Sequence, residues 1–378
     1  MKLLLTSAVL MLLLSEQATS ETTKAAEQSM EAAEQEYLTW HLQLHELLLA
    51  SDNNNHKTLG LLAMINGTLP AIKEEENNEA NQQFKAQMVV LNELIQSNEL
   101  TTQTQLLLLN WCNKTALRDY CDTQRLLTDL IKSNPENLLA YLHPLKVAYN
   151  EQNDDLLINT LRLMAVSQYN HQHLYLTSDF QMAVDAFLAE NPVPKSAIEA
   201  FKKDEVLLSG LTDQQRLDLD NHIRTYLHFA IKMSYLYLHE PADLKVLFEV
   251  CKLNLQFTES CLKITQILIH HSDTFAARGI GYALLMAVNQ INQRPELTEV
   301  VADKQQVYQD AVQCLRKAAR SDSLLDGMFD AEQLRIRLLP INQWDLQLQL
   351  AEYMYRKHNS QNPGRINPQD CISPLQPE

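Results

Sequence analysis

Glycine is scarce in this chain: 7 residues in 378, where average usage would supply about 26. Two-residue hairpins, phosphate-cradling loops and strained nucleophile turns all draw on glycine's access to positive φ. A chain so poor in it needs a fold whose connections seldom call for that conformation. Helices joined by short turns of Asn, Asp, Ser and Pro meet the condition. Hydrophobic residues make up 46% of the sequence, enough to build a core rather than a disordered chain. The expected fold class is all-α.

Apolar periodicity points the same way. From Pro295, a residue suited to a first helical turn, Leu297, Val300, Val301, Tyr308, Ala311, Val312, Leu315 and Ala318 recur at helical spacing. Thr212 and Gln215 form a capping-box pattern ahead of Leu217, Leu219, Ile223, Leu227, Ala230 and Ile231. Further helices are expected over 23–50, 77–97, 101–111, 121–133, 136–150, 154–167, 178–190, 242–253, 259–271, 274–291, 322–334 and 341–357. The intervening turns, at 52–55, 133–135, 153–154 and 239–241, are short, which makes neighbouring helices antiparallel. Antiparallel helix pairs in an α-solenoid or superhelical array are the expected architecture.

The first twenty residues have the make-up of a secretory leader. Lys2 precedes an apolar run from Leu3 to Leu14, and Ala18-Thr19-Ser20 supplies small residues for cleavage after Ser20. The mature chain is therefore expected in the periplasm or outside the cell. No later stretch approaches ~18 uninterrupted apolar residues, so no transmembrane span is expected. The cysteines fit an oxidising compartment: Cys112, Cys121, Cys251, Cys261, Cys314 and Cys371 are even in number, and no CxxC occurs to suggest zinc or a thioredoxin-type motif. Spacing favours Cys112 with Cys121 and Cys251 with Cys261, each bond stapling two consecutive helices across their turn. Cys314 and Cys371 remain, and their bond would pin the tail.

The two close cysteine pairs lie about 140 residues apart. With Cys121 aligned on Cys261, each is followed by a Leu- and Ile-rich helix, a polar turn (Ser133 to Asn137, or Ser272 to Thr274) and another helix, which suggests two related halves. Pro192 and Pro194 cannot sit together inside a helix, so the boundary is placed there. The expected organisation is a leader over 1–20, helical halves over 21–191 and 195–357, and an irregular Pro-rich tail over 358–378.

Asn134-Pro135-Glu136-Asn137, followed by Ala140, Tyr141, Leu145, Ala148, Tyr149 and then Asn153-Asp154, resembles a tetratricopeptide repeat over roughly 35 residues. Pro144 within the first helix and a one-residue slip of register depart from that family's pattern. The chain is also similar to exported bacterial helical-repeat proteins that carry a cysteine-stapled helix pair before such a turn. The resemblance implies a helical repeat and supplies no activity.

A net charge of -16 argues against nucleic acid and anionic lipid surfaces as partners, since both recruit Lys and Arg. His41 and His45 share a helix face and could form half of a metal site. They lack the HExxH arrangement and a third ligand, so solvated or cap-like histidines are the plainer reading. His171 with His173, and His270 with His271, make weaker cases, and no metal or cofactor is expected. Nucleophile motifs are absent: Ser209-Gly210 reads as a turn, and Gly279-Ile280-Gly281 as close helix packing within a helix. Asp218 with Asp220, Asp154 with Asp155, and Glu74-Glu75-Glu76 are carboxylate groupings that read as solvated faces. No catalytic residue is nominated.

Tyr226, Phe229 and Tyr237 fall along one long helix at a spacing that suits a peptide-binding groove, although an inter-helix core would use the same spacing. The functional expectation is an exported helical-repeat scaffold that binds a protein or peptide without a chemical step. The competing reading is a cell-envelope hydrolase or lyase on a helical toroid, using paired carboxylates as acid and base.

Overall fold

The computed structural model describes residues 20–69, 79–97, 99–203, 211–321, 324–359 and 364–375. The expected leader, apart from Ser20, lies outside them, as do Glu74-Glu75-Glu76 and Ser209-Gly210. Among the described residues the chain is all-α, with 19 α-helices and no strand longer than an isolated bridge. Numbered in chain order, these helices fall into two compact units, each built from three chain segments: Met1–Glu99, Leu176–Leu238 and Asp322–Pro340 in the first, and Leu100–Tyr175, His239–Ser321 and Ile341–Glu378 in the second.

The first unit contains α1 (Ser20–Leu49), α2 (Asn54–Thr68), α3 (Glu79–Ile95), α8 (Ser178–Glu190), α9 (Lys195–Lys202), α10 (Asp213–Leu217), α11 (Leu219–Leu236), α16 (Leu324–Met328) and α17 (Ala331–Arg337). The stretch around Asn191–Pro194, expected as a boundary between halves, connects α8 to α9 inside this unit. Helix α2 begins where the sequence reads as a connection. Asn53 caps it, its side chain accepting from the Asn55 N–H, and Leu59, Leu61, Leu62 and Ile65 are all buried. A helix covered on most sides shows no apolar stripe, so its periodicity is silent. Gly60 lets α2 press against α1: a Cβ there would lie 2.9 Å from both the His45 carbonyl oxygen and Leu48 Cβ.

The capping box at Thr212 and Gln215 is present, but Asp218 breaks the run, so α10 and α11 are separate. Along α11, Ile223, Leu227, Ile231 and Tyr235 form a buried i, i+4 stripe. The helix expected over 322–334 is likewise divided, because Asp330 caps a new start at α17 by accepting from the Gln333 N–H.

The second unit contains two disulfide-stapled helix pairs, each followed in the chain by two further helices. The first set is α4 (Thr102–Cys112), α5 (Thr123–Ser133), α6 (Leu142–Asn150) and α7 (Asp154–Ala165). The second is α12 (Lys245–Leu253), α13 (Thr258–His270), α14 (Phe275–Ile291) and α15 (Pro295–Ala318). In each set the first two helices are stapled by a disulfide, Cys112–Cys121 or Cys251–Cys261, with Cα atoms 5.7 and 5.9 Å apart. The turn between the last two helices places a glutamine at positive φ in both sets, Gln152 at 52° and Gln293 at 54°. The next N–H then reaches back to the helix, from Asn153 to the Ala148 carbonyl and from Arg294 to the Asn289 carbonyl, each at 3.0 Å. These are Schellman-type ends that satisfy otherwise orphaned carbonyls. Both stapled pairs lie in this one unit.

The helix expected over 136–150 is a 3-10 turn, Leu138–Tyr141, leading into α6. Pro144 sits in the first turn of α6, where its missing N–H removes no helical bond. The tail is less irregular than expected. Pro368 opens a short helix, α19 (Pro368–Ile372), capped by Asn367. The Cys314–Cys371 bond ties α19 to α15, and α18 (Gln343–His358) packs against both. All six cysteines are paired.

Candidate functional site

A cleft in the second unit offers a candidate site among the described residues. It opens between α4, α6 and the start of α12 and encloses about 680 Å³, counting the solvent space at its mouth. Leu106 and Leu109 of α4, Leu139 and Leu142 near the start of α6, and Val246 of α12 make it largely aliphatic, while Asn110, Asn113 and Gln172 bring three carboxamides to it. The fold uses part of that polar inventory. Asn110 Nδ2 donates to the Glu240 carbonyl at 3.1 Å, and Gln172 Oε1 accepts from the Ala242 N–H at 3.2 Å. Asn113 follows the stapled Cys112 and is exposed. His143 stands beside Lys146; burial, then the neighbouring ammonium, lower its pKa.

Two carboxylates reach this cleft, and both are already engaged. Glu240 pairs with Lys114 at 2.8 Å, and the Asp243 carboxylate accepts the Lys245 N–H at 3.0 Å. The carboxylate pairs singled out from sequence lie elsewhere. Asp154 and Asp155 occupy the exposed first turn of α7, where they complement the helix dipole. Asp218 accepts from Asn221, and Asp220 pairs with Lys202.

Gln172 reaches the cleft from a strap, residues 167–175, that follows α7. Over 169–172 half-buried Tyr169 and His171 alternate with buried Asn170 and Gln172. That alternation is the period of an extended strand and stops at His173, whose φ is 53°; successive rings of Tyr169, His171, His173 and Tyr175 stand 4.5, 5.8 and 5.8 Å apart. Two polar turns, near Asn137 and Asp273, hold the strap. On one, the Leu138 N–H donates to the Tyr169 carbonyl at 2.8 Å and Asn137 Nδ2 donates to the His171 carbonyl at 2.9 Å. On the other, the Asp273 carboxylate accepts the Gln172 and His173 N–H groups at 2.9 and 2.8 Å. Asp273 also opposes the burial that lowers the His171 and His173 pKa values. Sequence reading weighed the two histidines for metal and passed over the strap that carries them.

His41 and His45 are neither solvated nor caps, contrary to expectation. They are 2% and 1% exposed in the core of the first unit, because α1 turns Tyr37, Trp40, His41, Leu44, His45 and Leu48 inward as one stripe. Their rings lie 4.4 Å apart. His45 Nδ1 and the Tyr235 hydroxyl are 2.6 Å apart; His45 Nε2 and both nitrogens of His41 meet no hydrogen-bond partner among the described residues. Burial lowers the His41 pKa to about 4 and drives His45 well below its usual value, with His41 adding to the latter. Among the described residues no group of three or more His, Cys, Asp and Glu could hold a metal.

The three residues expected to meet a partner all fall at α11 or its C-cap, in the first unit. Tyr226 is half-buried against Phe201, with ring centroids 6.0 Å apart, and Phe229 is half-buried. Tyr237 is 59% exposed. Eleven residues on from Tyr226, it returns to within about 20° of the same helix face. Burial and then the Tyr237 hydroxyl raise the Tyr226 pKa. No residue of this trio lines the cleft. No protein-family model, curated protein or solved structure matches this chain.

Proposed function

We propose that this protein is an exported helical-repeat scaffold that binds an extended segment of a protein or peptide partner, without a chemical step. The observation that carries the reading is the cleft of the second unit, aliphatic within and supplied with three carboxamides. An extended chain presents alternating side chains and unpaired backbone groups. Aliphatic walls suit the former, and Asn and Gln, which both donate and accept, suit the latter. The engaged state of Glu240 and Asp243 weighs against the competing hydrolase or lyase, which needs a carboxyl free to move a proton.

The paired cysteines and the leader-like first twenty residues support export to the periplasm or the exterior. Among the described residues no helix is long and apolar enough to cross a membrane. The two stapled helix pairs support a solenoid-type array, the class of scaffold that the tetratricopeptide resemblance implies. A second binding surface, the Tyr226–Phe229–Tyr237 face, is favoured by the exposure of Tyr237.

Affinity selection of a random peptide library on the full chain tests the proposal. Enrichment of related sequences that Leu142→Glu abolishes supports the cleft. Enrichment lost only with Tyr237→Ala moves the site to α11, and absence of any enrichment overturns the binding reading.

A further inference from the structure

The two units differ in what holds them together. All three disulfides lie in the second, which the bonds 112–121, 251–261 and 314–371 cross-link. The first contains no cysteine and depends on packing, at whose centre it keeps the two buried imidazoles. A neutral imidazole carries one N–H donor and one bare acceptor. The three unpartnered nitrogens of His41 and His45 therefore leave buried polar groups that the folded state tolerates only while both rings are uncharged.

We infer that the first unit is an acid-opened module: protonation of His41 and His45 parts α1 from α2 and α11 while the cross-linked second unit keeps its fold. The surroundings of the two rings supply no countercharge. The groups in ring or hydrogen-bond contact with them are Tyr37 on α1, Tyr235 on α11, and each other. On neighbouring elements Asp179, Asp185 and Lys202 have partners of their own, and α11 also carries Arg224 and His228, neither of which supplies negative charge. Asp179 of α8 faces His56 of α2, Asp185 of α8 pairs with Lys232 of α11, and Lys202 of α9 pairs with Glu199 and Asp220.

With their centroids 4.4 Å apart, two imidazolium rings would also repel each other in a low-dielectric core. Packing leaves little slack to relieve this, since Gly60 already brings α2 against the His45 carbonyl. The burial-lowered pKa values set the direction. The unfolded chain binds more protons than the folded unit below the ordinary histidine value, so stability is complete above it and falls with pH. Each histidine raises the opening constant by up to about tenfold per pH unit across its window, and the pair by up to about a hundredfold. The second unit has burial-lowered histidines of its own: half-buried His239, lowered to about 4 by burial and then by His173, and also His143, His171, His173 and His270. There the disulfides limit what an opened state gains in chain entropy.

Hydrogen exchange with mass spectrometry on the full, oxidised chain between pH 7 and pH 4, corrected for intrinsic rates, reads both units at once. Peptides from α1, α2 and α11 are expected to lose protection first, with those from α5, α13 and α14 still protected. Simultaneous loss in both units, or protection of α1 down to pH 4, overturns the inference. His41→Phe removes one titrating ring at similar shape and should move the opening to lower pH; an unchanged transition also refutes it. Should that variant not fold, proton uptake on opening of the wild-type chain decides the matter: about two protons are expected from this histidine pair, and none would overturn it.

Discussion

Gly279 and Gly281 lie two residues apart in α14, and the same substitution should have opposite effects on them. A Cβ added at Gly279 meets nothing within 4 Å. Gly279→Ala therefore gains the helix propensity difference, about 0.5–1 kcal/mol of added stability, chiefly by restricting the unfolded chain. A Cβ at Gly281 would stand 2.8 Å from Leu268 Cβ, 2.9 Å from Ile269 Cγ1 and 3.0 Å from the Ile269 backbone nitrogen. Carbon pairs rest at about 3.5–4.0 Å, so α13 must yield by more than half an ångström. Two of the three obstacles are backbone or Cβ atoms that no rotamer change can move. Overpacking of this kind costs about 1–3 kcal/mol. Set against the same propensity gain, Gly281→Ala should lose about 1–2 kcal/mol net. Urea denaturation of the oxidised chain, followed at α13 and α14 by hydrogen exchange, measures both changes. Equal stabilisation by the two variants would refute the close α13–α14 crossing and the reasoning built on it.

The disulfides should rank by loop size. In the chain-entropy picture, removing Cys314–Cys371, with a separation of 57 residues, costs about 4 kcal/mol, and removing either short staple about 2.6 kcal/mol; urea midpoints of paired Cys→Ala variants check the order. Asp273→Ala strips two charge-assisted bonds from the Gln172 and His173 N–H groups. It should cost about 3 kcal/mol and raise exchange across 168–175 before the rest of the second unit responds. For His41, lowered from 6.5 to about 4, linkage makes the stability lost between those pH values about 3 kcal/mol. Urea titrations of the first unit in that window should show a loss of this size, reduced in His41→Phe.

Much of the local structure was legible because its causes are local. The Thr212–Gln215 capping box forms as its sequence implies, and helices such as 178–190 begin and end where periodicity and polar turns put them. The two short disulfides follow from the same logic, since a helix–turn–helix leaves cysteines 9 and 10 residues apart little choice of partner. Helix α2 escaped because it is covered on most sides, polar His56 and Thr58 included, and starts at an Asn-rich cap that resembles a loop. The strap over 167–175 escaped because polar residues alternating with aromatics signal nothing until two distant turns supply their hydrogen bonds. Of the candidate sites, the trio on α11 could be placed on one helix from its numbering. The cleft could not be found, since its walls come from residues 106 to 246.

What the sequence determined by itself was a helical chain with its punctuation and its two short cysteine pairs, all set by interactions within a turn or two. Tertiary structure alone decided that both stapled pairs share one unit, and that each unit is assembled from three separated segments. It also decided that His41 and His45 lie in a core rather than in water. An i, i+4 histidine pair specifies a shared face, but whether that face meets solvent or α2 and α11 depends on residues up to 190 positions away, such as Tyr235. Desolvation, and with it the chemistry of those rings, is a property of the packed neighbours.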